Sequence, residues 1–311
     1  MAEPALSLVN VVKRYGAVNA LRGVSFDVQL GEMFGLIGPD GAGKTTTIRL
    51  LCGLLHPDGG NVKVLGLDPV AQHRQVTESV GYLSQRFSLY GDLSIDENIA
   101  FFAEIHGLSK YEDRRTRLLE LTQLVKFRSR LADRLSGGMK QKLALACTLI
   151  HEPRVILLDE PTTGVDPVSR REFWKLLAEF LQQGITILVS TPYLDEAERC
   201  HRIALLHEGE VIALDTPDHL RRQLPGTMVE IITGDQARVV PVLSKLPNVV
   251  DVHVFGERVH VRLGPGATGD PVELITRPVA ERGLSVHGGR VVPASLEDVF
   301  IARLEAADQG R

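Results

Sequence analysis

The sequence predicts an α/β domain built on a mainly parallel sheet, followed by a small α+β unit. Three observations carry this. Strands and helices alternate from the N-terminus to about residue 222, the pattern of a sheet with helical crossovers. One apolar strand, Met33–Ile37, runs straight into a glycine-rich turn. Near Leu224-Pro225-Gly226 the pattern changes, and residues 226–311 read as a separate small unit.

In chain order, Val9–Lys13 and Gly23–Val28 are short strand candidates, then Met33–Ile37, then a helix over Thr45–Leu54. Glu97–His106 and Arg114–Val125 repeat apolar residues at helical spacing. Ser136 is placed to cap a helix that runs through Leu149. Val155–Leu158, Ile185–Val189 and Ile203–His207 are the later strands. Beyond the break, Val229–Thr233 reads as a strand and Gln236–Leu246 as a helix, with Pro241 counting against it. Val252, Val254, Val259, Val261 and Leu263 alternate with polar residues around Gly256-Glu257, a hairpin pattern. Pro271–Arg282 reads as a helix and Ser285–Val292 as a strand. The order βαββαβ fits a small ferredoxin-like fold.

The 311 residues suffice for two domains, and the apolar fraction of 44% supports a sizeable core. The formal net charge of −4 does not call for nucleic acid as a partner. The basic pairs Arg114-Arg115 and Arg221-Arg222 read as solvated surface. Cys52, Cys147 and Cys200 are far apart and read as buried thiols of a reducing compartment. No apolar run reaches the roughly 18 residues that span a bilayer, and Met1–Val12 lacks the features of a signal peptide. The expected location is therefore the cytoplasm.

Gly38-Pro39-Asp40-Gly41-Ala42-Gly43-Lys44-Thr45 fits the phosphate-binding pattern G-x-x-x-x-G-K-[ST]. Its glycines let the backbone N–H groups turn toward an anion, and the following helix adds its positive end. Lys44 is expected to reach the β- and γ-phosphates of ATP, and the Thr45 hydroxyl to ligate Mg²⁺. Val155-Ile156-Leu157-Leu158-Asp159-Glu160 is an apolar strand ending in two carboxylates. There Asp159 is placed to hold Mg²⁺ through water and Glu160 to polarise the attacking water. Leu135-Ser136-Gly137-Gly138-Met139-Lys140-Gln141 offers a hydroxyl and backbone N–H groups at a helix start, a second phosphate site. A chain that already has one such loop has no need of another for its own nucleotide, so this site makes sense for the nucleotide of a partner domain.

With these segments in place the chain resembles the ATPases of ABC transporters, over residues 5 to about 215. The resemblance implies a P-loop NTPase domain over 5–222, with a RecA-like core, an antiparallel β subdomain and a helical subdomain. It makes Leu135–Gln141 the signature loop. It extends phosphate binding to Gly38, Pro39, Asp40, Gly41, Ala42, Gly43 and Thr46. Tyr15 resembles the aromatic residue that stacks on adenine, although a strand-end core tyrosine is the alternative. Gln85, in Tyr82-Leu83-Ser84-Gln85, resembles the glutamine that touches Mg²⁺ and couples to the membrane subunit. Asp166, in Gly164-Val165-Asp166, resembles the loop that meets the opposing subunit. What is implied is a head-to-tail dimer, with itself or another ABC ATPase, holding two ATP molecules. Residues Tyr82–Ser94 and Pro293–Ile301 resemble the drug and lipid export branch, with its antibiotic-resistance and YbhF-type efflux ATPases and type-2 exporter permeases. The chain is then expected at the cytoplasmic face of the membrane, held there by integral-membrane permease subunits, with 226–311 as a regulatory or dimer-supporting domain.

One departure stands out. Where that family carries a histidine contacting the γ-phosphate, this chain has Pro192, in Val189-Ser190-Thr191-Pro192. Proline has no side-chain donor and no backbone N–H. Loss of one preorganised transition-state contact typically costs on the order of 10²–10³ in rate. The expectation is a site that binds ATP well and turns it over slowly, or one that works beside a sounder site in a partner. His201 lies beyond the expected position and reads mainly as an ordinary packing or surface histidine. Asp40, where many relatives carry asparagine, is expected to point away from the phosphates. Two other classes remain: a regulatory ATP-binding subunit, kept open by Pro192, and a non-transport ABC ATPase, disfavoured by the lack of tandem halves, long insertions or a basic stripe.

Overall fold

The computed structural model describes residues 3–85 and 88–309. The chain divides into two compact units, Met1–Thr216 and Pro217–Arg311. Arg86 and Phe87, within the segment that resembles the export branch, lie outside the described residues, as do Gly310 and Arg311 at the end of the expected second domain.

In the first unit the elements are β1 (Leu6–Tyr15), β2 (Val18–Val28), β3 (Met33–Ile37), α1 (Lys44–Leu51), β4 (Gly59–Val64), α2 (His73–Ser79), β5 (Val80–Leu83), α3 (Ile95–Ile105), α4 (Glu112–Leu121), α5 (Gly137–Leu149), β6 (Val155–Asp159), α6 (Pro167–Gln182), β7 (Thr186–Thr191), α7 (Leu194–Ala197), β8 (Arg202–His207) and β9 (Glu210–Asp215). Six strands form one sheet in the order β5-β6-β7-β3-β8-β9. It is parallel except for the edge pair β8–β9. Strands β3, β6 and β7 are buried along their whole length, which explains their unbroken apolar runs. A second, antiparallel sheet runs β2-β1-β4. Leu6, Leu8, Val24 and Val62 from that sheet share one core with Leu36, Ile48 and Leu157, so both sheets close on α1.

Several expected boundaries move, each for a local reason. The third helix starts earlier, at Ile95, because Ser94 and Glu97 form a reciprocal cap: the Glu97 amide donates to Ser94 Oγ (3.3 Å) and the Ser94 amide to Glu97 Oε2 (2.7 Å). The helix expected to reach Val125 ends at Leu121, where Gln123 turns left-handed (φ 60°). Strand β4 is not among the expected strands, and it starts with Gly-Gly-Asn, residues that favour turns. Arg114 is half-buried rather than freely solvated: its Nε donates to the Leu149 carbonyl at the end of α5 (3.0 Å). All three cysteines are buried. Burial pushes the Cys52 thiol up to about 12, with the charge of Asp159 adding to the rise, so it stays protonated near neutral pH. Among the described residues no helix is long and apolar enough to cross a membrane.

The second unit holds α8 (Pro217–Arg222), β10 (Thr227–Ile232), α9 (Gln236–Leu243), β11 (Val249–Phe255), β12 (Arg258–Leu263), α10 (Pro271–Ala280), β13 (Gly289–Val292) and α11 (Leu296–Gln309). Helix α8, expected with the first domain, belongs with the second unit and touches α11. The sheet order is β11-β12-β10-β13, all antiparallel, around a βαββαβ chain order. Helix α9 carries Pro241 inside it and ends two residues later, short of the expected Leu246. The strand expected from Ser285 starts only at Gly289, because Gly288 (φ 121°) interrupts the extended run. Val229, Ile231, Val259, Val261, Ile275 and Val279 form the core of this unit.

Candidate functional site

The parallel sheet brings the C-terminal ends of β3, β6 and β7 to one edge, the usual ligand side of such a sheet. Ile37 pairs with Thr191 and Asp159 with Ser190, so the loops after these strands start side by side. The turn from β3 into α1 needs glycine at Gly41 (φ 79°) and Gly43 (φ 109°), conformations that side chains disfavour. A Cβ on Gly43 would also lie 2.7 Å from the Ala20 carbonyl oxygen. The first-turn amides of Lys44, Thr45 and Thr46 have no partner inside α1 and face outward at its positive end.

An open cleft of about 510 Å³ lies over this turn. Asp40, Gly41, Gly43, Lys44, Thr45, Thr46, Gln85 and Glu160 line it, with Val18, Asn19 and Ala20 from β2. Asp40 is exposed at its rim. The Lys44 ammonium is buried and donates to the carbonyls of Gly38 (2.8 Å) and Pro39 (3.0 Å). It also pairs with Glu160 Oε1 at 3.0 Å. The other oxygen of Glu160 accepts from Gln85 Nε2 (3.0 Å) and Thr163 Oγ1 (3.3 Å). Thr45 Oγ1 donates to Asp159 Oδ1 at 3.1 Å. A hydroxyl and a carboxylate so close together form the oxygen set a small hard cation takes, and Gln85 adds an amide oxygen to the same cleft. The residues present therefore fit Mg²⁺ and a polyphosphate.

Tyr15 ends β1 and pairs across the tight hairpin with Val18, which lines the cleft. It is exposed, with the Lys13 ammonium 5.8 Å from its ring centre. An exposed ring is not the strand-end core tyrosine that was the alternative. Ser136, Gly137, Gly138 and Asp166 do not line the cleft. Ser136 caps α5 by accepting from the Met139 amide (3.3 Å), and a Cβ on Gly137 would meet nothing within 4 Å. Asp166 caps α6, accepting from the amides of Val168 (3.1 Å) and Ser169 (3.0 Å). Hydrogen bonds from Ser169, side chain first and then backbone, hold the Asp166 carboxyl below the ordinary carboxylate range.

Two groups escaped the sequence reading. Ser190 Oγ accepts from the Glu160 amide (3.0 Å) and donates to Asp159 Oδ1 (2.8 Å), fixing the Asp159 carboxylate and the Glu160 backbone. Glu196, buried, gathers Thr162 Oγ1 (2.6 Å), Thr191 Oγ1 (2.6 Å) and the Arg170 guanidinium (2.9 and 3.0 Å). It thus ties the loop after β6, helix α6 and the end of β7 together beside half-buried Pro192. No motif flags these residues, because their partners lie up to 34 positions away. His201 sits at the opposite end of the sheet, its Nδ1 accepting from the Met33 amide (3.0 Å) where β3 begins. It therefore cannot stand in for the missing histidine.

A family model described as "ABC transporter" matches residues 21–163. The chain is 41% identical over 278 residues to the probable multidrug ABC transporter ATP-binding protein YbhF of Escherichia coli, covering 88% of this chain and 48% of that protein. It thus spans about half the length of that relative. It is 37% identical over 306 residues to the Nod factor export ATP-binding protein I of Burkholderia orbicola, with 97% of each chain covered. Among solved structures, a dimeric bacterial ABC transporter cassette is similar with a TM-score of 0.61 and 29% identity, over 68% of this chain and 98% of that one.

Proposed function

The chain belongs to the ABC transporter family, in which it is an ATP-binding subunit, and from that premise we propose that it hydrolyses ATP to drive export through separate integral-membrane permease subunits. The observation that carries this is the convergence of Lys44, Thr45, Gln85 and Glu160 on one cleft, with Asp159 hydrogen-bonded to Thr45, while Ser136, Gly137 and Gly138 do not line it. The loop amides and the start of α1 bind the phosphates of ATP. Lys44 moves from Glu160 to the β- and γ-phosphates. Mg²⁺ would be held by Thr45, with Gln85 and Asp159 beside it, and neutralises charge on the phosphates. Glu160 then accepts the proton of the attacking water, while Gln85 and Thr163 hold that carboxylate and Ser190 holds its backbone amide. Tyr15 stacks on adenine. Ser136, Gly137, Gly138 and Asp166 serve the nucleotide of an opposing subunit, a second copy or another ABC ATPase, and this gives them a role their own cleft does not.

The names of the relatives support export, multidrug efflux included; the working position in this reading is the cytoplasmic face of the membrane, against the permease subunits. Residues 226–311 act as an accessory domain that regulates the ATPase or supports its dimer. Pro192 leaves the γ-phosphate without the usual histidine and lowers turnover; it also favours a second reading, a subunit that senses ATP more than it consumes it. The test is steady-state hydrolysis by the purified chain and its Pro192→His variant, with ATP binding measured alongside. Tight binding, slow turnover and a several-fold or greater gain in the variant support the impaired site. Brisk turnover of the wild type, dependent on Glu160, makes Pro192 harmless. Co-purification with a membrane protein tests the exporter assignment separately.

A further inference from the structure

The sheet of the second unit has two unlike faces. Val229, Ile231, Val259 and Val261 point into the apolar core beneath α9 and α10. By strand alternation the other face carries Glu230, Asp251, His253, Arg258, His260 and Arg262. Helix α11 lies against this polar face, because His260 Nδ1 and Asp298 Oδ1 are 2.9 Å apart. Glu305 stands seven residues beyond Asp298, two turns along the same side of the helix.

We propose that Asp251, His253 and Glu305 form a binding site for a divalent transition-metal ion of the Zn²⁺ class, joining β11 to α11. One ligand atom from each lies within 4.8 Å of the others. His253 Nε2 is buried and has no hydrogen-bond partner among the described residues. Its nearest charged neighbour, Asp251 Oδ1, is 3.7 Å away, too far for a hydrogen bond. A buried ring nitrogen without a partner asks for an explanation, and an ion supplies one. A neutral imidazole and two carboxylates all present lone pairs, so a cation satisfies all three at once. Tetrahedral ligands on zinc stand about 3.4 Å apart. Exposed Glu305 is free to make the closing movement. Asp251 is already oriented from behind, since its Oδ2 accepts from Arg262 Nε at 2.7 Å, the outer support that metal-binding carboxylates usually have. One imidazole nitrogen with two carboxylate oxygens suits Zn²⁺ or Mn²⁺ better than the all-oxygen sets of Ca²⁺ and Mg²⁺. The site opens into a cleft of about 510 Å³, which leaves room for water to complete the coordination.

The site is independent of the nucleotide cleft, and so is its test. The full chain, stripped with chelator and kept free of nucleotide and Mg²⁺, is titrated with ZnCl₂ against a chromogenic chelator. The expected result is one Zn²⁺ per chain, with affinity at least tenfold weaker in His253→Gln and in Glu305→Gln, and unchanged in His287→Gln. Circular dichroism without metal checks that the variants fold. Bound Co²⁺ should show visible bands that His253→Gln abolishes. Failure to take up Zn²⁺ stoichiometrically, or equal affinity in wild type and both variants, overturns the proposal; in that case the three side chains only pack beside one another.

Discussion

Lys44 and Glu160 are buried side by side, and each has further fixed partners: two carbonyls for Lys44, and Gln85 and Thr163 for Glu160. In the proposed mechanism phosphate affinity rests on Lys44, while proton removal rests on Glu160. Replacing Glu160 by glutamine keeps the size and one of the two acceptor oxygens and removes the proposed base. Turnover is expected to fall about 10²–10⁴-fold, while ATP affinity stays within a few-fold; parallel measurement of nucleotide binding and phosphate release separates the two. Lys44 was legible because the order of the Gly38–Thr45 loop declares its chemistry; the strand end at Asp159-Glu160, weak alone because many buried strands end in an acid, became legible beside that loop. Ser190 and Glu196 were not legible, because serines and glutamates are common and only the fold brings these two to the site.

At the level of elements, the starts of α5 and α6 pack together, and two adjacent glycines play different parts. A Cβ on Gly138 would lie 2.6 Å from Ser169 Cβ, with the Ser169 hydroxyl closer still, whereas one on Gly137 meets open space. Neither backbone is left-handed, so space alone decides. Gly138→Ala is expected to destabilise by about 1–3 kcal/mol through overpacking, and Ser169→Gly to relieve it. Gly137→Ala should leave the melting temperature nearly unchanged while weakening any activity that needs a second subunit close to that backbone; calorimetry and ATPase assays on the same samples show both effects. Element boundaries were less legible than elements. Gln123 and Gly288 end regular runs by their backbone conformation, a property that apolar spacing does not report.

At the scale of the whole molecule, the two units are stabilised differently. The first rests on two sheets closed over one apolar core, which the alternation of buried strands announces. The second adds a polar sheet face, invisible to a reading that follows only its hydrophobic residues. There His260 meets Asp298 of α11 and Glu230 of β10, Arg258 and Arg290 also reach Glu230, and His253 is the cross-strand partner of His260. The hydrogen bond to Asp298, against the opposing effect of burial, holds the His260 ring above its ordinary pKa. A raised histidine stabilises fully below its unfolded value, near 6.5, and loses that contribution as pH rises through the folded one. Melts of the full chain in chelator should therefore show a lower stability at pH 8 than at pH 6 in the transition of the second unit, and His260→Gln should flatten that slope.

The loop that carries Pro192 is held by side chains other than the one at that position. Thr191, Glu196 and Arg170 fix it through a buried carboxylate, and the Tyr193 amide is held by Thr191 Oγ1 at 3.1 Å. Under the proposed reading, position 192 is a tuning point: a single substitution there changes the speed of the engine while the contacts of Thr191, Glu196 and Arg170 keep the loop in place.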